Sequence, residues 1–157
     1  MDNAYNDYRG VRGWLLLLCV CLAILDPMAG IFNLMVVTEV MQPYFDQDPA
    51  LFNLVLIGGI CNICLLVYSM YSGVSLWKVS LNAVASAKKY LLILFHYSFV
   101  SIFLPQIFGL SEKTQTEVYK TNPLNNVIIM LYAFVWYLYL RRSKRIKATY
   151  GEDVPAS

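Results

Sequence analysis

Residues 51–74 read LFNLVLIGGICNICLLVYSMYSGV, 24 positions without a single Asp, Glu, Lys or Arg. A helix needs about 20 mainly apolar residues to cross roughly 30 Å of hydrocarbon, and this stretch supplies them. Working outward, residues 14–37 and 90–110 meet the same length, and residues 124–140 sit at its lower limit. Composition agrees. The chain is 59% hydrophobic and 14% charged, whereas a soluble domain carries about 25% charged residues. A water-soluble fold exposing so much apolar surface would aggregate. The reading is an all-α, four-transmembrane-helix bundle: one membrane domain over residues 1–150, with a short flexible tail at 151–157.

Charge gives the orientation. Ten of the twelve Lys and Arg residues fall before the first stretch, between the second and third, or after the fourth. They are Arg9, Arg12, Lys78, Lys88, Lys89, Arg141, Arg142, Lys144, Arg145 and Lys147. The other two, Lys113 and Lys120, share their loop with Glu112 and Glu117. Such a partition follows the positive-inside rule with N and C termini both cytoplasmic. The net charge of +2 is small, and the basic residues flank spans, so they suit anionic lipid headgroups at the cytoplasmic leaflet and exclude a nucleic-acid surface. Arg9 and Arg12 ahead of an apolar run resemble a signal peptide, but Asp26-Pro27-Met28-Ala29-Gly30 is a poor cleavage site, so an uncleaved first span is expected.

Three Asx-Pro pairs mark helix starts, because the acidic or amide side chain can cap and proline loses nothing at the first helical position. Asp48-Pro49 and Asn122-Pro123 open the second and fourth spans. The third pair, Asp26-Pro27, lies inside the first stretch, where proline removes a backbone hydrogen bond. That span is therefore expected to be kinked or broken there: one bent helix from about Trp14 to Thr38–Glu39, or two pieces with Asp26 capping the second. At about 1.5 Å per residue from Arg12, Asp26 lies roughly 20 Å in, still within hydrocarbon. The connection 75–89 fits either a short interfacial helix, with Trp77, Leu81 and Val84 on one face, or plain extensions of its neighbouring spans. The two outer connections are short and polar, and Pro105 should kink the third span.

An ionisable group within hydrocarbon is a functional candidate by default. Asp26 leads, either as a proton- or cation-binding carboxylate at a disturbed helix or as a backbone cap. His96, the single histidine, is roughly 10 Å in on the same ruler. It serves as a proton relay or as a hydrogen-bonding partner for a neighbouring helix. Asn62 and Asn33 complete the candidate polar set, with helix packing as the plainer role. Gly58, Gly59, Ser69 and Gly73 give the second span small positions for close helix approach. Trp14, Trp77, Trp136 and Tyr137, with Arg141, Arg142, Lys144, Arg145 and Lys147, are the expected membrane anchors.

Cys61 and Cys64 have thiol-oxidoreductase spacing. A relay would need a second pair in an outer loop, and neither outer loop contains cysteine. The four cysteines are therefore expected to be small apolar residues. One histidine and no carboxylate cluster leave no metal site, and no cofactor motif is present.

Gly13-Trp14-Leu15-Leu16-Leu17, shortly before a mid-span proline, resembles the start of the bacterial membrane family catalogued as domain of unknown function 2569. Trp136-Tyr137-Leu138 followed by Ser143-Lys144-Arg145-Ile146-Lys147, Thr149 and Tyr150 resembles that family's end motif, where Val and Phe often stand at the positions of Ile146 and Tyr150. The resemblance covers nearly the whole chain. It implies a small bacterial inner (cytoplasmic) membrane protein of unestablished activity, and no catalytic residue comes with it; Asp26 lies outside the pattern.

A non-enzymatic bundle is expected, serving as a packing, assembly or regulatory partner of itself or of another envelope protein. The alternative is a small proton-coupled transporter or channel using Asp26, oligomeric because four spans leave little room for a pathway. A thiol oxidoreductase ranks third. Asp26 facing a cavity would put the transporter first.

Overall fold

A computed structural model describes residues 10–121 and 123–151, and every regular element among them is a helix. In chain order these are α1 (Trp14–Val20), a π turn (Cys21–Leu25), α2 (Asp26–Met41), a 3-10 turn (Gln42–Tyr44), α3 (Pro49–Trp77), α4 (Ala83–Ile107), α5 (Glu112–Thr121), α6 (Pro123–Arg142) and α7 (Lys144–Tyr150). The run Trp14–Tyr44 forms the first of four helical segments long and apolar enough to cross a membrane; α3, α4 and α6 supply the others. The Gly10 N–H donates to Thr149 Oγ1 at 3.2 Å, so the two ends of the described chain meet at one end of the bundle, here the proximal end. The distal end holds the connections between spans one and two and between spans three and four.

Pro27 does not divide the first span. Its ring clashes with the carbonyl four residues back and it has no N–H to give. The chain responds by widening. The Asp26 N–H reaches back five residues to the Cys21 carbonyl, the hydrogen-bond pattern of a π turn. An α-helix would have paired that N–H with the Leu22 carbonyl. The freed carbonyl instead accepts from Ser69 Oγ of α3 at 2.8 Å. Small residues on α3 permit this approach: a Cβ added to Gly73 would stand 2.6 Å from the Ala23 backbone nitrogen. Of the two shapes the sequence allows, the single continuous span is the one formed. Asp26, in the first turn of α2, makes no side-chain cap.

The other expected starts behave similarly. Asp48 occupies the N-cap position of α3 without a capping bond. Its Oδ2 accepts instead from the Ser111 N–H at 3.0 Å, which ties the two distal connections together. Asn122 lies outside the described residues. The connection 75–89 resolves into extensions of its neighbours. α3 runs to Trp77 and α4 starts at Ala83, and in the turn between them Val79 and Asn82 take left-handed φ values of 51° and 63°. Trp77, Leu81 and Val84 therefore share no helix face. The second outer connection, read from sequence as a polar loop, contains the helix α5, whose Thr114 and Val118 are buried.

Two packed layers close the bundle. The proximal layer is built from Leu15, Leu18, Leu22, Leu76, Leu91, Leu140 and their neighbours, with Ile146 of α7 beneath them. The distal layer is smaller: Met41, Leu51, Leu110 and Val118. Spans one and two, two and three, and three and four pack along their lengths, whereas spans one and four meet mainly through side chains. Trp14 and Trp136, for instance, place their ring centroids 6.4 Å apart. Between spans two and three, Tyr97 donates to the Gly58 carbonyl at 3.1 Å. Tyr97→Phe keeps the ring and loses that bond. We expect a loss of about 0.6 kcal/mol, the mean for an interhelical hydrogen bond in a membrane, read as a small fall in the midpoint of a denaturant titration in detergent. An unchanged midpoint would show the bond to be without net effect.

Candidate functional site

Between the two apolar layers, all four spans converge on one carboxylate. Asp26 of span one accepts from the Tyr132 hydroxyl of span four at 2.9 Å (Oδ1) and 3.1 Å (Oδ2). The Tyr90 hydroxyl of span three donates to Oδ2 at 3.3 Å, and Ser69 Oγ of span two lies 3.4 Å from the same oxygen. These partners are 106, 64 and 43 residues away in sequence. A serine hydroxyl carries one proton, and the shorter bond to the Leu22 carbonyl takes it. Ser69 thus presents a lone pair to Asp26. An ionised carboxylate accepts from both tyrosines; a protonated one can still accept from Tyr132 at Oδ1 while donating toward Ser69 from Oδ2. Either protonation state leaves no partner orphaned, so this group can hold or release a proton without local unfolding.

The ring positions come from packing. Tyr90 and Trp136 belong to the proximal layer; Tyr132 stands edge-on to Trp136 at 6.3 Å, and Tyr90 edge-on to Tyr68 at 5.9 Å. Those contacts aim both hydroxyls toward Asp26.

Asp26, Tyr90 and Tyr132 also line a cavity of about 590 Å³, which extends from them to Met41, Leu51 and Val118 of the distal layer. That size lies within the usual range for small-molecule sites. Its wall is largely aliphatic, with polar groups from Asn33, Asn62, Ser98, Ser101, Asn125 and Asn126. Among the described residues, no Lys, Arg or His side chain lines it, and Asp26 is the one carboxylate that does. Asn62 Oδ1 is buried without a hydrogen-bond partner. All four spans of one copy contribute to its lining.

Of the four candidate polar residues, Asp26, Asn33 and Asn62 share this cavity. His96 does not. It is exposed on the outer face of α4, and its Nδ1 pairs with the Leu92 carbonyl of its own helix at 2.7 Å. A helix satisfies such a group locally through the carbonyl one turn back, so no neighbouring helix is needed. The sequence reading missed Ser69 as an Asp26 partner, and Tyr90 and Tyr132 altogether.

Cys61 and Cys64 are exposed on α3, outside the packed layers, while Cys19 is buried; all four cysteines are free thiols. Among the expected anchors, Trp14 and Trp77 are exposed, but Trp136 is buried among Trp14, Tyr132 and Tyr139. Arg141, Arg142, Lys144 and Lys147 are exposed, and Tyr137 is half-buried.

The last motif has a structural role. α7 folds under the proximal layer with Ile146 and Ala148 buried. Tyr150 donates to the Leu76 carbonyl at 2.6 Å, and Arg145 Nη1 donates to the Arg12 carbonyl at 3.3 Å. Burial pushes the Tyr150 phenol well above its ordinary pKa.

Residues 8–151 match the family described as Protein of unknown function (DUF2569). No curated protein and no solved structure matches the chain.

Proposed function

The chain belongs to the DUF2569 family, a group of unknown function, and from that premise we propose that this multi-pass membrane protein is a small proton-linked carrier with Asp26 as the group that takes up and releases the proton. One observation carries the reading: the one carboxylate that lines the cavity among the described residues faces hydroxyls from the other three spans, accepting from Tyr90 and Tyr132 and standing 3.4 Å from Ser69 Oγ. A change of charge on Asp26 alters bonds to every other span at once. That is the coupling a carrier requires, since a ligand shifts an equilibrium only through contacts that differ between two states. A group serving only as packing glue would not need a cavity beside it. The protein works, in this reading, in a bacterial inner membrane with both termini in the cytoplasm, as the charge distribution indicates.

The test uses proteoliposomes loaded with a pH-sensitive dye, with proton movement driven by a valinomycin-imposed potassium potential. Wild-type vesicles are expected to change internal pH faster than protein-free vesicles, and Asp26→Asn to return the rate to the protein-free level. Equal rates for wild type and Asp26→Asn would retire the carrier reading.

A further inference from the structure

Resting on that carrier reading, we propose that the ligand held in the cavity is a lipophilic amine in its cationic form, its ammonium group against the Asp26 carboxylate and its apolar body along the aliphatic wall. Four features of the cavity point to this class.

Charge comes first. Among the described residues Asp26 is the one carboxylate on the lining, with no Lys, Arg or His there to neutralise it. An anionic ligand would place two like charges together in a low-dielectric space, whereas a cation supplies the missing counter-charge. The polar chemistry around it points the same way. The hydroxyls of Tyr90 and Tyr132 spend their protons on Asp26, and among the described residues the one buried side-chain polar atom without a partner, Asn62 Oδ1, is an acceptor. Asn62 Oδ1 would stand 3.3 Å from a Cβ on Gly30, and Gly30 is one helical turn, about 6 Å, beyond Asp26 on α2. Two acceptors separated in this way favour a ligand rich in N–H donors.

The remaining features separate an organic cation from a bare metal ion. Ca²⁺ and Mg²⁺ take six or more oxygen ligands in a compact shell. Here the wall beyond Asp26 is formed by residues such as Val37, Leu54, Val55, Leu66, Leu94 and Ile129, which offer a metal nothing and an alkyl body a great deal. Tyr90, Tyr97 and Tyr132 are also among the lining residues, and aromatic side chains attract organic ammonium groups.

Three probes of nearly equal shape test the proposal: 1-adamantanamine (cationic), 1-adamantanol (neutral) and 1-adamantanecarboxylate (anionic). Wild-type protein in nanodiscs of mixed zwitterionic and anionic lipid is titrated with each, and the unfolding midpoint is recorded. The amine is expected to raise the midpoint and to bind at least about tenfold tighter than the alcohol, the scale of a desolvated charge pair; the carboxylate is expected to leave the midpoint unmoved. Comparison of the probes on wild type needs no variant to fold. In Asp26→Asn the amine's advantage over the alcohol should vanish, and Asn62→Leu should weaken the amine while sparing the alcohol. Equal shifts from amine and alcohol, no shift from any probe, or an amine advantage that survives Asp26→Asn would each overturn the assignment. Proton flux that still depends on Asp26 alongside such a result would overturn the ligand class alone; flux independent of Asp26 would remove the carrier reading itself.

Discussion

Ile146→Asp is expected to abolish recovery of the folded protein. Ile146 is 1% exposed in the proximal layer, and an unpaired carboxylate placed there costs several kcal/mol, comparable to the whole stability of many domains. The effect should exceed a local loss because α7 closes the proximal end from below. Tyr150 fastens it to α3 through the Leu76 carbonyl, Arg145 fastens it to the approach to α1 through the Arg12 carbonyl, and Thr149 receives the Gly10 N–H. Size-exclusion chromatography in mild detergent is the measurement. Ile146→Val, which removes one methylene, should cost about 0.5–1.5 kcal/mol and leave the profile intact. Lys147→Asp, at an exposed position, should stay within about 0.5 kcal/mol. A wild-type profile for Ile146→Asp would show that α7 is dispensable to the bundle.

Tyr132→Phe has the next largest effect, and its size reports the charge on Asp26. Phenylalanine keeps the edge-on contact with Trp136 and removes the hydroxyl that binds both carboxylate oxygens. A hydrogen bond to a charged partner is worth about 1.5–3 kcal/mol, whereas a neutral interhelical one averages about 0.6 kcal/mol in a membrane. We expect a loss in the larger range for wild type at neutral pH and in the smaller range when the same change is made in Asp26→Asn. The difference is the coupling of the pair, about 1 kcal/mol or more, read from a double-mutant cycle on denaturant midpoints. Additive losses would mean that Asp26 and Tyr132 do not interact in the folded protein.

Much of this architecture was legible from stretches such as residues 51–74, since hydrocarbon thickness fixes a minimum apolar length. The same logic set the ends too tightly. α3 starts at Pro49 and α4 at Ala83, because a helix continues into the interface after its residues stop being uniformly apolar, and Lys88 and Lys89 can lie on a span while their long side chains reach outward. That slip hid the site. A depth ruler started at Lys89 leaves Tyr90 at the edge of the third span, yet its hydroxyl reaches Asp26. Tyr132 and Ser69 were obscured differently, for no local pattern records a contact 106 or 43 residues away. α5 was missed because EKTQTEVYKT is too polar to read as a buried helix, and only the packing of Val118 reveals its inward face. The oddity of Asp26 was visible from the start. Its partners required three dimensions.

The π turn also sets the phase of the first span. Leu15, Leu18, Cys19 and Leu22 point one way from α1 into the proximal layer, while Asp26, Gly30, Asn33 and Val37 look into the cavity from α2. One surplus residue in a regular helix would turn everything beyond it by about 100°; the widened turn over Cys21–Leu25 absorbs that residue, so the faces on either side keep the bearing of a helix one residue shorter. Removing a single residue there would let the turn close as regular α-helix with both faces unmoved, and the carbonyl in Leu22's place, bonded within its own helix, would no longer be open to Ser69. A change in chain length of one would thus leave the packing in place and turn the Ser69 proton toward Asp26.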